Sequence, residues 1–113
     1  MAETLGTFEQ AVLLALVRTG ADSRKEAYGR SILKEVQRRL EREVAAGAVY
    51  STLERLEGKG LISSYIGAGT EARNGRPRRF YTIEPEGMRA LNEARAAAER
   101  LWAGVAWPLK GAV

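Results

Sequence analysis

Between Arg73 and Arg79 the chain holds four arginines, Arg73, Arg76, Arg78 and Arg79, and no acidic residue. Asn74, Gly75 and Pro77 lie among them and supply turn-forming backbone. A basic tip on a tight turn suits contact with phosphate oxygens or insertion into a minor groove. It equally suits a solvated loop.

A second group lies upstream, on a segment with helical spacing from about Ala46 to Lys59. Val49, Leu53 and Leu56 make its apolar stripe. At about 100° per residue, the opposite face carries Gly47, Ser51, Glu54, Arg55 and Gly58, with Tyr50 and Thr52 flanking it. Gly47 and Ala48 have almost no side chain, so another backbone can approach closely there. Ser51 and Thr52 are short donors and acceptors. Arg55 has the donor fork that suits a guanine edge or a phosphate. Glu54 is unsuited to a polyanion and is expected to pair with a basic neighbour. By residue type alone, this surface reads more readily as a solvated helix face than as a contact for DNA.

Other chemistries are poorly supplied. The chain has no Cys and no His, which removes thiolate chemistry, disulfides, the commonest zinc ligands and the commonest general base. The carboxylates fall on expected wet helix faces or in turns, with no nucleophile–base arrangement, so no catalytic residue is assigned. There is no Gly-rich Lys-Ser/Thr phosphate loop. No metal and no cofactor is expected. The excess of 18 Lys and Arg over 14 Asp and Glu gives +4, a mild bias that permits nucleic acid or an acidic membrane and requires neither. No apolar run reaches the length of a membrane span, and Met1-Ala2-Glu3-Thr4 has no basic region leading into an apolar one. No membrane association is expected, and the expected compartment is the cytoplasm.

These groups need elements to hold them. At 113 residues and 45% hydrophobic content the chain is expected to bury one modest core. Thr7 with Gln10 three residues on reads as a capping box. Phe8, Ala11, Val12, Ala15 and Leu16 then follow helical spacing up to Gly20, with Leu13, Leu14 and Val17 adding apolar surface on other faces. A helix apolar nearly all round is buried nearly all round, which in so short a chain points to a second subunit. A second helix is expected from about Glu26 to Arg42, with Ile32, Leu33, Val36 and Leu40 as its stripe. The third follows, stopped where Gly58 and Gly60 bracket Lys59. A strand is expected over Leu61 to Ile66, a loop over Gly67 to Pro77 and a return strand over Arg78 to Ile83. Pro85 is a good first helical residue. From there a fourth helix is expected to run to about Val105, with Leu91, Ala94, Ala98, Leu101 and Val105 as a packing seam. Trp102 lies beside that seam. It reads first as an anchor in a subunit contact and second as a stacking surface for a flat effector. Pro108 and Gly111 mark a tail.

Three helices, a hairpin and a closing helix form an α+β, mainly α arrangement of the winged helix-turn-helix kind. The expected organisation is 1–83 for the winged domain, 84–107 for a C-terminal dimerisation helix and 108–113 for the tail.

Several segments resemble one family in order and spacing. They are Leu5-Gly6, Ala27-Tyr28-Gly29, and Gly47-Ala48-Val49-Tyr50-Ser51-Thr52-Leu53-Glu54-Arg55-Leu56-Glu57. Gly60-Leu61-Ile62, Gly75-Arg76-Pro77-Arg78-Arg79-Phe80-Tyr81 and Gly87 follow. Over nearly its whole length the chain resembles the PadR family of transcriptional regulators. One position departs: the family usually has Thr where this chain has Glu84, and Thr would be the better helix cap.

The resemblance implies a DNA-binding homodimer, usually a repressor, in which the third helix enters a major groove and the wing touches the flanking backbone. The partner expected is double-stranded DNA, at Gly47, Ala48, Tyr50, Ser51, Thr52, Arg55, Arg73, Arg76 and Arg78. The expected dimer contact is Phe8, Leu13, Val17, Leu91, Ala94, Ala98, Leu101, Trp102 and Val105. Some relatives bind aromatic effectors near the dimer interface, which makes Trp102 the candidate effector residue. The rival reading is a winged-helix protein-interaction module that never binds DNA.

Overall fold

A computed structural model describes residues 5–20, 27–67 and 77–111. Four helices and one hairpin follow in order: α1 Thr7–Gly20, α2 Gly29–Leu40, α3 Ala46–Gly58, β1 Ile62–Gly67, β2 Arg78–Ile83 and α4 Pro85–Trp102. This is the expected mainly helical winged arrangement. Among the described residues, no helix is long and apolar enough to cross a membrane.

The core lies where α1, α2, α3 and the base of β1 meet. Val12 and Leu13 of α1, Ile32 and Val36 of α2, Val49, Leu53 and Leu56 of α3, and Ile62 of β1 are fully buried there. The apolar girdle of α1 is thus mostly satisfied within the chain. Only Leu14 and Val17 remain substantially exposed on it. Leu13, expected at a subunit contact, has no surface left to offer a partner, because the chain's own core encloses it.

Helix starts differ from expectation in instructive ways. Gly6, not Thr7, is the residue before α1. Its amide donates to the Glu9 carboxylate at 3.1 Å, while Gln10 donates its side-chain amide to the Leu5 carbonyl at 2.9 Å. The start of α2 falls at Gly29 rather than near Glu26. Tyr28 is extended and bridges to Phe80 of β2, and the Tyr81 amide donates to the Ala27 carbonyl at 2.8 Å. The stretch before α2 is therefore held as an addition to the sheet. Ser31 closes the cap: its hydroxyl accepts from the Tyr28 amide at 3.0 Å and donates to the Tyr28 carbonyl at 2.9 Å.

Gly60, with φ of 77°, adopts the left-handed turn after α3. The hairpin that follows is antiparallel, with Ile62 opposite Ile83 and Gly67 opposite Arg78. Glu84 gives α4 no side-chain cap; Pro85 sets the first turn, and the Glu84 carbonyl accepts from the Gly87 and Met88 amides. The fourth helix ends at Trp102, one turn short of the expected Val105. Val105 lies beyond Gly104, whose φ of 80° breaks the helical path.

Candidate nucleic-acid interface

Packing three residues of α3 into the core leaves an outward arc. Val49, Leu53 and Leu56 are buried, while Gly47, Ala48, Ser51, Glu54 and Gly58 are exposed. Among the described residues, nothing outside its own helix stands within 4 Å of where a Cβ at Gly47 would lie, so the first turn of α3 is open to a close approach there. The Ser51 hydroxyl donates to the Gly47 carbonyl at 2.8 Å. Thr52 does not belong to this surface. It is buried on the core side of α3, since it lies next to Val49 and Leu56 around the helix, and it cannot touch an outside ligand.

The two flanks of the arc are tied to neighbouring helices. On one side the Tyr50 ring lies against Gly29 of α2: an added Cβ at Gly29 would meet Tyr50 Cε1 at 2.6 Å and Cζ at 2.7 Å. The missing side chain at Gly29 is what lets α2 and α3 approach there. About half of Tyr50 remains exposed. On the other side Arg55 leans toward Glu9 of α1, with Nη2 4.0 Å from Oε2. Lys59 Nζ donates to the same oxygen at 3.4 Å. Partial burial pushes the Glu9 carboxyl up, but the Gly6 amide, Lys59 and Arg55 outweigh it and hold it below the usual carboxylate range. Glu9 thus anchors the cations of α3 to the start of α1. Its role was not visible in sequence, because 46 positions separate it from Arg55 and nothing local marks the pair.

Arg73 and Arg76 lie outside the described residues. Arg78, at the root of the wing, is half-buried, with its guanidinium 3.8 Å from the centre of the Tyr28 ring. Its Nε is buried and has no hydrogen-bond acceptor among the described residues. Tyr28 meets Phe80 edge-on with centroids 6.2 Å apart, and Phe80 meets Tyr65 at 5.5 Å. The hairpin root is therefore fixed to the start of α2 by stacked rings and one cation. Arg79 donates to Ser64 across the hairpin at 2.9 Å, and Ser64 in turn donates to Glu57 of α3 at 2.8 Å. Both cationic elements, helix and wing, are braced against one scaffold.

On the side formed by α1 and α4 lies an apolar groove of about 480 Å³, lined by Leu14, Val17, Met88, Leu91, Ala98 and neighbours. Ala94 is buried at its floor, and Phe8 and Leu91 are half-buried against the core. Beyond the groove, Leu101 is 81% exposed and Trp102 46% exposed. Trp102 is not among the groove-lining residues.

The profile of the transcriptional regulator PadR-like family matches residues 20–93. The chain is 40% identical over 93 residues to the transcriptional regulator Rv3488 of Mycobacterium tuberculosis, covering 80% of this chain and 78% of that protein. The crystal structure of a PadR family transcriptional regulator from Eggerthella lenta superposes with a TM-score of 0.62 at 31% identity, over 83% of this chain and 76% of that one. A PadR-like transcription factor from Bacteroides fragilis superposes with a TM-score of 0.67 at 26% identity, over 85% and 84%. With its outward arc on α3, its basic hairpin and these likenesses, the chain belongs to the PadR-like family of transcriptional regulators.

Proposed function

We propose that this regulator is a homodimeric repressor that reads an inverted-repeat operator, with α3 of each protomer in a major groove and the wing on the flanking backbone. The observation that carries the reading is the open, small-residue first turn of α3, Gly47-Ala48, on a helix that also exposes Arg55, in a chain whose wing sequence is rich in arginine. Small residues admit the groove wall, and cations on either side answer the phosphates. The α1–α4 groove, with exposed Leu14, Val17, Leu101 and Trp102 around it, supports a second copy as the partner on that side. In this reading Trp102 is first an anchor of that contact and second a stacking surface for a planar aromatic effector. The compartment that suits such a protein is the cytoplasm.

Selection of bound duplexes from a random pool, followed by titration at several salt concentrations, tests the reading. The expected site is an inverted repeat with half-site centres about one helical turn, or a multiple, apart. Arg55→Ala is expected to cost about 1–3 kcal/mol on the selected site. Arg76→Ala is expected to weaken all duplexes alike and to lower the salt slope by roughly one unit. An absence of salt-dependent duplex binding would instead make the fold a protein-interaction module.

A further inference from the structure

We propose that Glu54 sets base preference at one position of each half-site, by accepting a hydrogen bond from the N4 amino group of a cytosine in the major groove. The inference rests on the reading of α3 as the groove-entering helix, and it names the side chain that reads.

The centre of the arc opposite the buried Val49, Thr52, Leu53 and Leu56 is made by Gly47, Ser51, Glu54 and Gly58. Two of these have no side chain, and among the described residues nothing outside their own helix comes within 4 Å of a Cβ at either. Ser51 turns its hydroxyl back onto its own helix. At the flanks Tyr50 lies against Gly29, and Arg55 leans toward Glu9 at 4.0 Å with its side chain still 55% exposed. Glu54 is left as the side chain at mid-arc long enough to reach a base edge. The sequence suggested that a basic neighbour would neutralise it. Among the described residues, however, no ion pair engages its carboxylate.

An ionised carboxylate accepts hydrogen bonds and cannot donate. In the major groove guanine offers only acceptors, O6 and N7, and thymine offers O4 and a methyl group. Both are unfavourable neighbours for Glu54. Adenine offers an amino group beside the N7 acceptor, whereas cytosine offers its amino donor alone. The carboxylate also repels phosphate, so the centre of α3 gains little from sequence-independent contact. Attraction to one base and repulsion of the rest together make a specificity element.

The test compares duplexes selected from a random pool by the intact wild-type chain, by Glu54→Ala and by Glu54→Gln. Circular dichroism is used to show that each variant is folded. Wild type is expected to select a half-site with one cytosine that Glu54→Ala no longer requires, with preference there falling roughly tenfold and the other positions unchanged. Glu54→Gln, which can both donate and accept, is expected to move that position toward adenine. If wild type selects a site and Glu54→Ala selects the same one, the assignment of Glu54 is overturned while the DNA reading stands. The assignment is overturned likewise if Glu54→Ala only tightens binding to every duplex alike. If wild type selects nothing, both fall.

Discussion

The Arg78 guanidinium stacks on the Tyr28 ring, joining the first residue of the returning wing strand to the residue that precedes α2. The pair sits where Tyr28 also bridges to Phe80, so cation, ring and backbone fix one junction. The ring also faces a guanidinium whose Nε has no conventional acceptor among the described residues. A partly desolvated cation–π pair of this kind contributes about 0.5–2 kcal/mol. A double-mutant cycle with Tyr28→Leu and Arg78→Met, followed by urea unfolding, is expected to give a coupling energy in that range. A coupling near zero would mean that the two side chains stack without stabilising each other.

The same junction shows what could be read in the chain before its structure and what could not. Periodicity located the helices, because stripes such as Ile32 and Val36 or Val49, Leu53 and Leu56 are local patterns, and turn residues with the sheet-suited Phe80, Tyr81 and Thr82 located the hairpin. It misplaced the start of α2, since the pull on Ala27 and Tyr28 comes from Phe80 and Tyr81, over fifty residues away. Thr52 looks like a surface hydroxyl by type, yet its angle around α3 turns it inward. Leu13 looked spare because spacing shows that a face is apolar but not which neighbour covers it. The Glu9–Arg55–Lys59 group was invisible for the same reason: the link between α1 and α3 exists only in three dimensions.

Two glycines should differ in how well they accept a methyl group. At Gly87 the added Cβ would press on the Leu61 carbonyl and stand 2.8 Å from Ile83 Cγ1, so backbone at the base of the hairpin would have to move. At Gly29 the obstacle is the ring of Tyr50, which is half-exposed and can swing away. Gly87→Ala is expected to cost about 2–3 kcal/mol and Gly29→Ala about 1 kcal/mol or less. Tyr50→Ala should relieve the second and leave the first unchanged. Equal melting-temperature losses for the two would contradict this account.

Acid should loosen the tie between α1 and α3. The Glu9 carboxyl is held low in the folded state, as is Glu35, where Arg38 donates to it and Arg39 pairs with it. A carboxyl with a depressed folded pKa contributes stability that is fully present above its unfolded value. That contribution is lost as pH falls through the folded value. Stability should therefore decline as pH falls through about 4.5, where free Glu is half protonated, toward the lower folded values. Glu9→Gln removes the charge and is expected to cost about 0.5–1 kcal/mol at neutral pH. The difference from wild type should shrink as pH falls from neutral into strong acid, through the lowered folded value, and vanish once the Glu9 carboxyl is protonated. Urea unfolding across that range measures it, and a difference that persists in acid would assign the effect to lost packing instead.

Val17 and Leu13 lie four residues apart on α1, and substitutions at the two should have different consequences. Leu13 is fully buried, so Leu13→Ala opens a cavity in the chain's own core and is expected to cost about 2–5 kcal/mol of folding stability. Val17 is 41% exposed and lines the groove against α4. On an isolated protomer Val17→Glu would change stability by no more than about 0.5 kcal/mol, as surface changes do. Facing a second copy, the same carboxylate would be stripped of water in an apolar contact, at a cost of several kcal/mol for each protomer of the pair. Sedimentation is therefore expected to show wild type as a dimer, with Val17→Glu a folded monomer at micromolar concentration. Leu101→Ala, which removes the most exposed leucine of α4, should weaken the dimer in the same direction without disturbing the core. A wild-type monomer would refute the two-fold arrangement. A Val17→Glu chain that sediments like wild type would move the contact away from the α1 face of the groove, onto the end of α4 around Leu101 and Trp102.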